Sequence, residues 1–208
     1  MPIDSEIIQH IYKSRLNLLK QMKNAGYNID AFEQFSINDI NVMHKNNQLD
    51  MIFTNPLQSV YCYHLLLKSL RTPYIEEIIE ELVNIRSILK SSDIIILISQ
   101  NNENDTIKLY LRKLFSDRHI YIVHRTLEQT QFNILEHDIV PKHTILNDNQ
   151  TKEMFSRYNI ISADTLPEIS RFDPVVKALL VKPGQIVHIE RPSKTSISGD
   201  YYRVCINK

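Results

Sequence analysis

Eight histidines, two cysteines and 24 aspartate and glutamate side chains give this 208-residue chain the groups needed for metal binding, nucleophilic hydrolysis or metal-assisted nuclease chemistry. Their spacing supports none of these. His137 and His143 lie six positions apart with Pro141 between them, which fits neither the i, i+4 pair of a helical zinc site nor a Cys/His finger. No serine occupies a Gly-x-Ser-x-Gly elbow, and neither Cys62 nor Cys205 has a cysteine-protease context. A metal-dependent nuclease sets an Asp on one strand and a Glu/Asp-x-Lys pair on the next, to hold a divalent cation and activate water. None of the 24 acidic residues has a lysine two positions on. Asp93, at the head of an apolar run, therefore reads as a turn or cap residue. The three glycines, Gly26, Gly184 and Gly199, are too scattered to build a phosphate loop. No catalytic residue, metal or cofactor is expected.

Composition narrows the class further. The 24 Lys and Arg balance the 24 Asp and Glu, which argues against binding nucleic acid or anionic membrane by bulk charge. At 43% hydrophobic residues the chain has enough apolar volume for a sizeable core. Cys62 and Cys205, each in an apolar context, read as buried free thiols. The opening Met1 to Glu6 has no basic or apolar leader pattern, and apolar runs such as Ile94 to Ile98 fall far short of a bilayer span. A soluble intracellular chain is expected.

The elements that would position these residues fall into two groups. Ile7, Ile8, Ile11, Tyr12, Leu16, Leu19 and Met22 follow helical spacing after Asp4 or Ser5, with Gly26 just past the end, and predict a helix over 4–24. Residues 31–47 read as a short helix or loop. Met51 to Thr54 reads as a strand ending at Asn55-Pro56, whereas Tyr61 to Leu70 fits either strand or helix. A helix follows Thr72-Pro73, carrying Ile75, Ile78, Ile79, Leu82, Val83, Ile85 and Leu89 on one side. Its glutamates Glu76, Glu77, Glu80 and Glu81 read as a solvated helix start. Asp93 to Ser99 predicts a buried strand, Ile107 to Phe115 a helix and Ile120 to His124 a further strand. This alternation gives an α/β domain over 1–135.

Residues 136–208 change character, with Pro141, Pro167, Pro174, Pro183, Gly184, Pro192 and Gly199 dividing short elements. Asn147 and Gln150 form a capping-box pattern for a helix with Met154, Phe155 and Tyr158 on one face. Asp173-Pro174 pairs an N-cap with proline at the first helical position. Gln185 to Glu190 and Tyr201 to Ile206 alternate as strands around a hairpin containing Gly199. The segment reads as a small α+β module with a short mixed sheet.

Several motifs in this second segment carry a resemblance. The runs His137-Asp-Ile-Val-Pro-Lys-His143, Arg157-Tyr158, Leu166-Pro167, Asp173-Pro174-Val175, Lys182-Pro-Gly184-Gln-Ile-Val187, Ile189-Glu-Arg191-Pro-Ser193 and Tyr202-Arg203 agree in order and spacing with the C-terminal module of eukaryotic RNA polymerase subunit 5. The archaeal member of that family is similar to this module alone. The first 135 residues resemble the eukaryotic subunit more faintly, at Ile11-Tyr12, at Lys23 to Tyr27 and at Ile95 to Asn102. The resemblance implies a non-catalytic subunit of a multisubunit DNA-dependent RNA polymerase. Its C-terminal module would dock on the largest subunit. Its N-terminal domain, restriction-nuclease-like in fold but without an active site, would form part of the lower jaw near downstream DNA. An obligate homo-oligomer is not implied. The isoleucine- and asparagine-rich composition and divergent first half look like the version encoded by a large cytoplasmic DNA virus of the African swine fever type. That implies host cytoplasm and virion, where a cellular version would be nuclear. The alternative reading is a stand-alone nucleic-acid-binding or nuclease-like protein.

Carried over by position, His137, Lys142, His143, Arg191 and Arg203 are the candidates for contact with the largest subunit, where cationic groups would pair with carboxylates or carbonyls of the partner. Pro141, Asp173, Pro174 and Gly184 have sufficient reasons of their own as fold-supporting residues. Two positions depart from the family pattern: Glu168 and Pro183 stand where basic residues are usual. In the first domain the polar loop from Asn101 to Thr106 sits where the family approaches DNA, yet Glu103 and Asp105 would repel phosphate. Asn101, Asn102, Lys108, Arg112 and Lys113 are the DNA-proximal candidates.

Overall fold

The computed structural model describes residues 3–66, 70–85, 93–193 and 197–208. The chain divides into two compact units, Met1–Asn133 and Ile134–Lys208.

In the first unit, helix α1 (Ile3–Asn24) begins slightly ahead of Asp4 and Ser5 and buries Ile8, Ile11, Leu18, Leu19 and Met22. It ends as expected. Gly26 takes φ +80°, and the N–H groups of Gly26 and Tyr27 return to the carbonyls of Lys23 and Met22, the Schellman arrangement that glycine permits without strain. Residues 31–47 resolve into a 3-10 turn, Asp30–Phe32, and helix α2 (Ile37–Lys45), started by a Ser36/Asp39 capping box. Strands β1 (Met51–Thr54), β2 (Ser59–Leu65), β3 (Ile94–Ser99) and β4 (Tyr121–Thr126) form one sheet in that order. β1 and β2 are antiparallel; β2, β3 and β4 are parallel. Local periodicity leaves Tyr61 to Leu65 undecided, and pairing with both β1 and β3 makes it a strand.

Parallel neighbours need crossovers. Helices α3 (Thr72–Ile79), running on into a π-helical segment Glu80–Ile85, and α4 (Asp105–Arg118) lie in those crossovers. The expected apolar position Leu89 lies outside the described residues. Every residue of β3 and β4 is buried, and Asp93 clamps the sheet by accepting the Ser59 N–H at 2.9 Å.

The first unit also buries charge, and hydrogen bonds accompany it. Arg125 on β4 donates to Gln21 Oε1 at 2.6 Å, and the Gln21 amide donates to Asn133 at 2.9 Å. Ser14 and Thr130 hydroxyls meet at 2.6 Å. Helix α1 is thereby fastened to β4 and the segment after it. Burial lowers the Arg125 guanidinium to about 10. Arg15 donates to the Leu49 carbonyl at 2.9 Å and lies against the rings of Phe32 and Phe35. Burial pulls it below its usual range, against the raising effect of Cys62 and Asp50. The buried side chain of His64 is held below its ordinary 6.5 by desolvation, opposed by Asp50, whose carboxylate is 3.9 Å from Nδ1.

The second unit is a four-stranded mixed sheet between two helices. Strands β5 (Lys142–Ile145), β6 (Glu168–Ser170), β7 (Ile186–Pro192) and β8 (Ser198–Ile206) take the order β5-β7-β8-β6. Only the β6–β8 pairing is parallel. Helix α5 (Asp148–Tyr158) starts at the expected Asn147/Gln150 capping box. Helix α6 (Pro174–Leu179) starts where Asp173 accepts the N–H groups of Val175 and Val176. Alternation along β7 and β8 supplies two cores. Val187, Ile189 and Cys205 pack with Val176 and Val181; Ile186 and Val204 pack with Met154 and Leu166 on the other side. Both cysteines are buried and free, and burial pushes Cys205 up to about 11. The expected helical face holds: Met154 is buried, Phe155 packs beside it, and Tyr158, more exposed, reaches Tyr202 at the same sheet face. Gly199 is corrected: it pairs with Arg191 inside β8 rather than forming the turn.

Two outcomes follow from this packing. Asp173→Ala removes the α6 cap and should cost about 0.5–2 kcal/mol in urea unfolding. Because folded His64 resists protonation, the unfolded chain takes up the proton first as pH falls below 6.5. Stability should be complete above that pH and fall below it by up to about 1.4 kcal/mol per pH unit; His64→Gln should flatten that limb.

Candidate partner-docking surface

The β7–β8 ribbon exposes Glu190, Arg191, Asp200 and Arg203. Its register runs without interruption from Ile186 opposite Val204 to Pro192 opposite Ser198. β5 pairs only with Val187 to Glu190, and β6 only with Val204 to Ile206. The outer end of the ribbon therefore extends past both neighbours.

Directly paired residues point to one face. Arg191, Gly199, Tyr201 and Arg203 share a face with His143, which lies opposite Ile189. Lys142, opposite Glu190, lies on the other face with His188, Asp200 and Tyr202. The candidate cations are thus divided: His143, Arg191 and Arg203 on one side, Lys142 on the other. Arg191 and Lys142 are exposed. Exposed Arg203 donates to the Glu168 backbone carbonyl at 3.0 Å, while the Glu168 carboxylate is 3.7 Å from Lys208 Nζ. His143 is half-buried and its Nδ1 sits 2.6 Å from the Pro141 carbonyl, so the imidazole donates there and fixes the turn into β5. Exposed His137 accepts the Ile139 N–H at 3.3 Å, away from the ribbon strands. Gly184 takes φ +93° and donates to the Cys205 carbonyl, a backbone need that few other residues meet.

Residue spacing gave no sign of the polar stack on the second face. His188 stacks on Tyr202 at 5.0 Å, its Nε2 is 2.8 Å from the Asp200 carboxylate, and Tyr158 adds a ring 5.5 Å from Tyr202. Burial, then Tyr158, raises the Tyr202 phenol above its usual range. The only signal for this stack is the period-2 alternation of the two strands, which needs a register to become a contact.

In the first unit, exposed Asn101 and Asn102 lead to Asn104, which caps α4 by accepting the Ile107 N–H at 2.9 Å. Lys108 and Arg112, one turn apart, are half-buried, with Lys108 3.8 Å from Asp105. Lys113 lines a different cleft, with Glu76, Tyr110, Asp117 and Arg118. Of these candidates on α4, Lys108 and Arg112 share one helix face and Lys113 lies on another. Two readings of acidic residues are corrected here. Glu103 is turned inward, 3.2 Å from His124 Nδ1, while His124 Nε2 is 2.8 Å from Ser99 Oγ, so its charge is taken up inside the fold. Glu76 is not simply solvated: it accepts from the Tyr110 hydroxyl and from Arg118. The Tyr110 hydroxyl contributes most to holding the Glu76 carboxyl below its usual range, with Arg118 adding to it. Among the described residues, no cluster of three or more His, Cys, Asp or Glu side chains is placed to hold a metal ion. None of the described helices is long and apolar enough to cross a membrane.

Residues 132–205 match the family described as RNA polymerase Rpb5, C-terminal domain. The DNA-directed RNA polymerase subunit Rpo5 of Pyrococcus abyssi is 44% identical over 78 residues, which are 38% of this chain and 94% of that protein. The Thermococcus celer subunit of the same name is 42% identical over 76 residues, covering 36% and 92%. That of Methanosarcina acetivorans is 40% identical over 77 residues, covering 37% and 97%. With nearly the whole of each relative covered at 40% identity or more, the chain belongs to the Rpb5/Rpo5 family of DNA-directed RNA polymerase subunits.

Proposed function

We propose that this subunit is non-catalytic and assembles into a multisubunit polymerase by docking residues 136–208 on the largest subunit. The observation that carries this reading is the coincidence of the match with a unit that has its own sheet and its own two cores. An autonomous module with exposed cations on its ribbon suits protein contact, and the balanced charge of the whole chain suits a part that leaves the holding of DNA to other subunits. Residues 1–135 serve as a jaw domain beside downstream duplex DNA. The mixed sheet with helical crossovers supports a restriction-nuclease-like ancestry without the nuclease constellation. The isoleucine-rich, glycine-poor composition supports a viral polymerase working in host cytoplasm and packaged in virions.

The test is affinity purification of the tagged chain from its native cells, with mass spectrometry and promoter-independent RNA synthesis on the eluate. Recovery of the two largest polymerase subunits with RNA synthesis is the expected result. Elution alone, with magnesium-dependent DNA cleavage, would favour a stand-alone nuclease. Arg191→Glu and Lys142→Glu should each reduce recovered polymerase by about tenfold without shifting the melting temperature of the free chain. Unchanged recovery with both substitutions contradicts the docking surface.

A further inference from the structure

β8 is nine residues long, but on the side away from β7 it is paired only at Val204, Cys205 and Ile206. The pairing stops for a local reason. Pro167, next in the β6 lane, offers its carbonyl to the Val204 N–H at 3.0 Å and has no N–H to return. Among the described residues, no strand lies beside Gly199 to Arg203 on that side. The Cys205 N–H is directed to Gln185, on the β7 side, whereas the Val204 N–H is directed to the outer lane. By alternation the main-chain N–H and C=O groups of Asp200 and Tyr202 face outward. Neither a proline nor a bulge interrupts this stretch, although protein edges are ordinarily blunted by such devices. Asp200, the acid on the edge, is already engaged by His188.

The side chains specify what fits. Tyr201 is 51% exposed and leans over Gly199, its ring 3.4 Å from where a glycine Cβ would stand. Gly199 puts no side chain between Arg191 and the edge. Exposed Arg191 and Arg203 flank Tyr201 on the same face, and neither has a carboxylate partner among the described residues. We propose that an extended acidic segment of another polymerase subunit adds to this edge as a fifth strand. It exchanges main-chain hydrogen bonds with Asp200 and Tyr202, reaches Arg191 and Arg203 with carboxylates, and covers Tyr201 with an apolar side chain. The inference rests on the polymerase-subunit reading and names the mode of docking.

The test compares Asp200→Pro, which removes an outward N–H at an edge position that tolerates proline, with Asp200→Ala, which keeps the N–H. Each is expressed as the full tagged chain in native cells. Asp200→Pro should lower polymerase recovery by about tenfold and Asp200→Ala much less, with similar melting temperatures for the free chains. Equal recovery of Asp200→Pro and the unsubstituted chain overturns the added strand while leaving the polymerase reading intact. Failure of the unsubstituted chain to recover polymerase overturns that reading instead. Should the proline variant not fold, amide hydrogen exchange on the unsubstituted chain decides: slowed exchange at Asp200 and Tyr202 in the polymerase supports the strand, and unchanged exchange overturns it. A dimer of the free chain that Asp200→Ala preserves and Asp200→Pro abolishes would give the edge to a second copy and overturn the proposal.

Discussion

The second unit depends on the register of β7 against β8. Two cores hang on it, because Val187, Ile189 and Cys205 serve the α6 side while Ile186 and Val204 serve the α5 side. A slip of one residue would exchange the sets and bring Arg203 and Tyr202 into each other's places. The local features hold this register in place. The Asp173 cap and the left-handed Leu180 end α6 within a few residues, and the Gly184 N–H bonds Cys205 at the root of the hairpin. The same register that fills the interior sorts the exposed cations onto their faces, so packing and surface chemistry share one cause.

The first unit depends on a different device. Its central strands are buried at every position, and β4 carries His124 and Arg125 into that interior. Charged or polar groups so placed are costly unless bonded. Arg125 with Gln21, and His124 with Glu103 and Ser99, meet that requirement. Each link joins segments distant in sequence, which binds α1 and the loop after β3 to the sheet. The loop at Asn101 and Asn102 is thus presented by a fixed base, and its acidic neighbour is withdrawn from the surface.

The helix limits were legible where chemistry is local. Gly26, the Asn147/Gln150 box and Asp173-Pro174 each act within four residues, and each holds its expected place. Legibility failed where partners come from elsewhere. Tyr61 to Leu65 became a strand through its neighbours, Glu76 found Tyr110 and Arg118 more than thirty positions away, and Glu103 found His124 across the sheet. For the candidate surface, the residue types at Arg191, Arg203 and Lys142 were visible, but their division between two faces was not, since adjacent strand positions separate only once the pairing is known. The stack of His188, Tyr202 and Tyr158 was hidden for the same reason.

Family membership rests on residues 132–205, and the account's central claim is that this unit is what joins the chain to a polymerase. Electron cryomicroscopy of polymerase purified through this chain tests it most directly. The account predicts the unit 134–208 seated on the largest subunit, with the β7–β8 ribbon at the contact and residues 1–133 reaching towards downstream DNA. Attachment through residues 1–133 alone, with the ribbon facing solvent, would contradict it.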